Sequence, residues 1–183
     1  MSSQNTFKHL SRVGRAELMR AGPLIPAGWT LPRQRLVELH VSAQPEPTPV
    51  QGFMLIDTGA PSLTIDASVV RELGLEPSGR SQDAHGLVGV SKMPEYEAVL
   101  LLPLTDVRGH TEWKGFPVYA WQMPQSQIFQ LDGTNQVRVI GILGRLLLQY
   151  ATFVYDGMTG SFELRLDLGA YLARGNSSGQ SGS

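Results

Sequence analysis

Apolar and polar residues follow one another along this chain mostly in short runs, at the spacing of strands. Phe53-Met54-Leu55-Ile56 is an apolar run closed by Asp57, Thr58 and Gly59, a pattern that predicts a buried strand ending in a turn. Leu63-Thr64-Ile65 predicts a second, shorter strand. Asp66 then stands where an N-cap belongs, Val69, Val70 and Leu73 share a helical face, and Gly74 is placed to stop that helix. Upstream, Arg35–Val41 mixes apolar and polar residues as a half-buried strand would, and Pro45, Pro47 and Pro49 mark the loop after it. This strand is expected to pair with Phe53–Ile56.

Downstream, Tyr96–Leu102 predicts a strand ended by Pro103. Trp113–Trp121 predicts another, at an edge or a bulge because it contains Gly115 and Pro117. Val137–Ile140 reads as a strand, Gly141–Arg145 as a turn, and Leu146–Tyr150 as a short helix with Leu146, Leu147 and Leu148 in the core. Ala151–Tyr155 and Ser161–Leu166 flank Asp156-Gly157-Met158-Thr159-Gly160, which signals a hairpin. Phe162, Leu164 and Leu166 alternate with Glu163, Arg165 and Asp167, so one face of this hairpin should be wet. Many short strands and two or three short helices predict an all-β domain, closed or sandwiched.

The ends read differently. Residues 1–32 are expected to be a partly flexible N-terminal extension, residues 33–168 the domain, and residues 169–183 a disordered tail with little to bury. Phe7, Leu10, Val13 and Leu18 line one face if the start is helical. Pro23 to Pro32 read as an extended lead-in carrying Trp29. Lys8, Arg12, Arg15 and Arg20 stand against Glu17 alone, which suits a solvated or docked extension, or else a targeting or processed segment.

Composition narrows the chemistry. A chain of 183 residues suits one domain with a core of its own. A net charge of −1 gives no general attraction to nucleic acid or to an anionic membrane, and no apolar run approaches the length of a membrane span. The absence of cysteine excludes disulfides, thiol catalysis and thiolate-bound zinc, and fits a cytoplasmic location. Four scattered histidines make no metal site, and Gly141-Ile142-Leu143-Gly144 lacks the lysine of a phosphate loop, so no cofactor is expected.

Asp57 is the residue that needs a reason. A carboxylate at the end of a core strand is costly unless it is paired, hydrogen-bonded or put to chemical use. Its surroundings resemble the retropepsin-like aspartic proteases, the single-lobed relatives of pepsin that include the retroviral enzymes. The resemblance runs from about Arg33 to Leu166. It is carried by Phe53–Ala60, by the glycine-bounded segment His85–Val90, and by Ile142-Leu143-Gly144-Arg145 opening a helix.

The resemblance implies a closed, barrel-like β lobe whose active site forms at a two-fold homodimer interface. It implies Asp57 as the catalytic residue, with Thr58, Gly59 and Ala60 as the active-site loop. His85, Gly86, Leu87, Val88 and Gly89 would be a flap over an extended polypeptide substrate. Ile142, Leu143, Gly144 and Arg145 would support the loop. Retroviral members carry an acid directly after the loop to pair with that arginine. Here the position is Pro61, which leaves the partner of Arg145 open. Extra loops lie around Pro45–Pro49 and Asp106–Asn135.

The chemistry agrees with that expectation. Peptide hydrolysis without metal or nucleophilic side chain needs a base for water and an acid for the carbonyl oxygen, and two carboxylates sharing one proton supply both. The chain holds a single Asp-Thr-Gly, since Asp132-Gly133-Thr134 and Asp156-Gly157-Met158 read as turns. A dyad therefore needs Asp57 from two copies. Ala60 stands where pepsin-like enzymes usually carry serine, and losing that hydroxyl donor predicts a pH optimum nearer neutral; Ser62 is a substitute donor. Thr58 is either an interlock across the two-fold axis or a turn threonine. Leu87 and Val88 are either a flap tip or a surface hairpin, and His85 either touches substrate or is solvated. Trp113 and Trp121 are expected to be packing residues. The other reading of the whole chain is an inactive dimerisation or peptide-binding module.

Overall fold

The computed structural model describes residues 6–86, 89–123, 127–131 and 135–177. In chain order the elements begin with β1 (Thr6–Arg12), α1 (Arg15–Ala21), β2 (Leu24–Thr30), α2 (Arg33–Val41), β3 (Val50–Ile56), β4 (Thr64–Asp66) and α3 (Ala67–Leu73). There follow β5 (Pro77–Gly86), β6 (Gly89–Thr105), β7 (Thr111–Met123), β8 (Gln127–Leu131), β9 (Asn135–Leu143) and α4 (Arg145–Leu148). The chain closes with β10 (Ala151–Asp156), β11 (Ser161–Asp167) and α5 (Leu168–Ser177).

Six of the strands close on themselves. The order β6-β2-β3-β9-β4-β7 returns to β6, a barrel with two parallel contacts, β3 with β9 and β4 with β7. Side chains alternate across a strand, so every second residue enters the barrel. Ala98, Leu100, Leu102 and Leu104 of β6 and Phe116, Val118 and Ala120 of β7 are buried in this way. Trp29 of β2 is fully buried, and its indole N–H donates to the carbonyl of Ile140 on β9 at 3.1 Å. A three-stranded extension, β1-β11-β10, joins the barrel where Lys8 meets Thr105. There Phe162, Leu164 and Leu166 are buried while Lys8, Glu163 and Arg165 share the opposite face.

Asp66 caps α3, accepting from the backbone N–H of Ser68 at 2.8 Å, and Gly74 ends the helix in the left-handed region at φ 61°. The alternation in β11 and the hairpin at Asp156–Gly160 are also as the sequence predicts. β7 bears out an edge rather than a bulge: around Gly115 and Pro117 it pairs only with β6, in unbroken register.

Several expectations are overturned. Arg35–Val41 belongs to a helix, not a strand. Leu36 and Leu39 meet the core from one side, and an Arg35–Glu38 ion pair of 3.0 Å spans a turn on the other. Besides β9, the neighbour of β3 is β2, the segment expected to be an extended lead-in. Pro26 is tolerated there because β6 pairs only with Gly28–Thr30, leaving β2 with one neighbour at the proline. β6 likewise continues through Pro103, which lies opposite Trp113 in a stretch flanked by β7 alone.

The two ends are also more ordered than their polar sequences suggest. Thr6–Arg12 is a strand paired along β11 rather than one face of a helix. α5 runs over Leu168–Ser177, so residues 169–177 of the expected tail are helical. Tyr171 anchors that helix, its hydroxyl donating to the carbonyl of Pro117 at 2.6 Å and its ring lying edge-on to Phe116 and Tyr150. The described residues hold five short helices instead of two or three. Trp113 is 48% exposed and does not serve as a packing residue. No helix among the described residues is long and apolar enough to cross a membrane.

Candidate active site

The parallel pair β3 and β9 brings the two singled-out motifs side by side. Ile56 lies opposite Leu143, and one residue on the backbone N–H of Asp57 donates to the Leu143 carbonyl at 3.2 Å. The chain then turns, with Ala60 N–H donating to the Asp57 carbonyl at 3.2 Å. The start of α4 closes on this turn. Arg145 N–H donates to the Ala60 carbonyl at 2.9 Å and Leu146 N–H to the Pro61 carbonyl at 3.1 Å. First-turn amides of a helix have no partner within it, so here the loop carbonyls satisfy them. A Cβ on Gly144 would run into the carbonyl oxygen of Ser62 and lie 2.8 Å from that of Ala60, so the approach needs a glycine.

Asp57 itself is only half-buried, and Thr58 and Gly59 are exposed. The acid is displayed at the surface of the single chain rather than sealed in its core. Its Oδ1 accepts from the Gly59 N–H at 2.8 Å, which fixes the carboxylate against the loop. Ser62 meets the site through its carbonyl. Arg145, left without an acidic neighbour by Pro61, donates from Nη1 to the Thr58 carbonyl at 3.3 Å. Beneath the loop, the hydroxyl of Thr64 accepts from Ile142 N–H at 2.9 Å, tying β4 to β9. Thus Asp57, Thr58, Gly59, Ala60, Ile142, Leu143, Gly144 and Arg145 lie together in one assembly.

The hairpin expected as a flap is the far end of β5 and β6. His85 pairs with Val90 and Gly86 with Gly89; Leu87 and Val88 lie outside the described residues. Its root holds a group of residues that the motif reading missed. Glu95 is buried, and its Oε2 accepts from Arg80 Nε at 2.9 Å and from the Ser78 hydroxyl at 2.8 Å. The Arg80 guanidinium lies 5.0 Å over the Tyr119 ring. The only hint in the sequence is an acid placed at the entry to an apolar strand. From this root a row of backbone partners crosses the barrel, Glu95 to Trp121 to Thr64 to Ile142 to Leu55, ending on the strand that carries Asp57.

A second cross-tie lies behind the site, where Arg138 of β9 is paired with Glu72 and bonded to Ser68, both on α3. A cleft of about 540 Å³ bordered by Lys8, Asp106, Glu163 and Arg165 lies on the wet face of the extension and includes none of the loop residues. No group of three or more metal-ligating side chains occurs among the described residues.

One oriented carboxylate on a surface loop can act as a base or, when protonated, as an acid, but not as both in the same step. Supplying both roles takes a second acid–base group. No protein-family model matches this chain, and no curated protein matches it.

Proposed function

We propose that this chain is a retropepsin-like aspartic endopeptidase that works as a homodimer, with Asp57 of each subunit forming the dyad. The observation that carries the reading is the setting of Asp57. It is half-exposed, its Oδ1 is held by the Gly59 amide, and its loop is stitched to the β9–α4 turn by Arg145 and Leu146. An acid oriented by its own loop, half-exposed and braced by a second strand–turn–helix piece, suits a site shared between two copies.

In the reaction the ionised carboxylate takes a proton from the water between the two acids as the water oxygen bonds to the scissile carbonyl carbon. The protonated carboxylate gives its proton to the carbonyl oxygen. The resulting gem-diol collapses: one hydroxyl gives its proton to the ionised carboxylate, the C–N bond breaks, and the amine nitrogen takes the proton of the other carboxyl, so the dyad ends with one proton as it began. The substrate is a polypeptide in extended form, lying between the loop and the β5–β6 arm.

The test compares wild type with Asp57→Asn on denatured protein and on a proteome-derived peptide library. Cleavage by wild type alone is expected. If neither chain cleaves while both dimerise, the protein is instead a dimerisation or peptide-binding module.

A further inference from the structure

The peptide group between Thr58 and Gly59 is held at both ends. Its N–H, on Gly59, donates to Asp57 Oδ1 at 2.8 Å, and its carbonyl, on Thr58, accepts from Arg145 Nη1 at 3.3 Å. Hydrogen bonds in a chain polarise one another, and a charged donor at the carbonyl makes the N–H of the same peptide a stronger donor. The guanidinium therefore acts on the carboxylate from one peptide group away.

We propose that Arg145 is the positioning residue of Asp57, aiming and polarising the Thr58–Gly59 peptide that holds the carboxylate. The backbone makes this arrangement stable: Arg145 N–H is bonded to the Ala60 carbonyl, so the root of the side chain is already pinned to the same loop. Few other charges compete. Within the loop Asp57 is the sole ionisable side chain, Pro61 is neutral, and the acid of the adjoining β4, Asp66, caps α3. Among the described residues no ion pair commits the Arg145 guanidinium elsewhere. A lysine in its place keeps a positive donor but lacks the fork that lets guanidinium hold a planar acceptor.

The role of Arg145 in turnover rests on the reading of Asp57 as the reacting acid, but the contact itself can be tested without turnover. The full chain is compared as wild type, Arg145→Met, Arg145→Lys and Asp57→Asn by the amide signal of Gly59 in proton–nitrogen NMR. A downfield Gly59 proton is expected in wild type, moved upfield by Arg145→Met and by Asp57→Asn, with Arg145→Lys between them and barrel amides unchanged.

In peptide cleavage Arg145→Met should lower kcat about tenfold, the effect of one hydrogen bond, with KM within about twofold. Arg145→Lys should recover part of the loss. A Gly59 signal unmoved by Arg145→Met overturns the inference, as does an unchanged kcat in an active enzyme. A moved signal in a chain whose wild type cleaves nothing upholds the contact and removes the proteolytic reading instead.

Discussion

Gly144 sits so close to Ser62 that a Cβ on the glycine would overlap the serine's carbonyl oxygen. The constraint is space and not backbone conformation, since Gly144 is extended at φ −93°. Gly144→Ala is expected to push the loop off the amides of Arg145 and Leu146. The cost should be about 1–3 kcal/mol, as for overpacking elsewhere. Denaturant unfolding checks the stability, and peptide cleavage should fall far more than the folded fraction does.

The indole of Trp29 joins two strands that are not neighbours in sequence, β2 and β9, inside the barrel. Trp29→Phe keeps an aromatic ring but strands the Ile140 carbonyl in the core and leaves a cavity. We expect a loss of about 2–4 kcal/mol, read from the shift in the unfolding midpoint at constant slope.

At the root of the β5–β6 arm, Glu95 is 6% exposed while its partner Arg80 is 65% exposed. Arg80→Met leaves a buried carboxylate with only the Ser78 hydroxyl, at an expected cost of about 1–3 kcal/mol. The double variant Arg80→Met, Glu95→Met should recover much of that, because removing both partners of a pair is less harmful than removing one. Hydrogen exchange in Arg80→Met should speed up at residues 81–86 and 89–94 while β2 and β3 stay protected.

His9 gives the chain a pH dependence of stability. Burial holds its imidazole below the usual value of 6.5, against the opposing pull of its bond to the Pro103 carbonyl. The folded state thus prefers the neutral ring. Its contribution is complete above about 6.5 and is lost as pH falls from there through the lowered folded value. The melting temperature should drop from pH 7 towards pH 5, and His9→Leu should flatten that part of the curve.

Much of the site was legible because it is built from contiguous signals. Four apolar residues before Asp57, an N-cap at Asp66 with Gly74 after it, and a glycine before Arg145 each act within one turn of chain. What was missed depends on partners far away. Arg35–Val41 carries Val37, Leu39 and Val41 at strand spacing, yet both valines are exposed, and Leu39 settles the helix only by packing on the core. Pro23–Pro32 reads as a loop until β3 lies along it, and only then does Trp29 have a barrel to fill. Arg80 and Glu95 are fifteen residues apart and meet because the hairpin register that sets Ser81 opposite Pro94 brings them together one step further on. The carboxylate of Asp57 proved half-exposed where its apolar run suggested burial, since the strand ends at the barrel's rim.

The most direct measurement mixes wild type with Asp57→Asn, refolded together at constant total chain, and follows cleavage of one peptide. If each site takes one acid from each of two copies, activity falls as the square of the wild-type fraction, to about a quarter at equal parts. A fall in simple proportion to that fraction would mean that one Asp57 suffices, and would contradict the account.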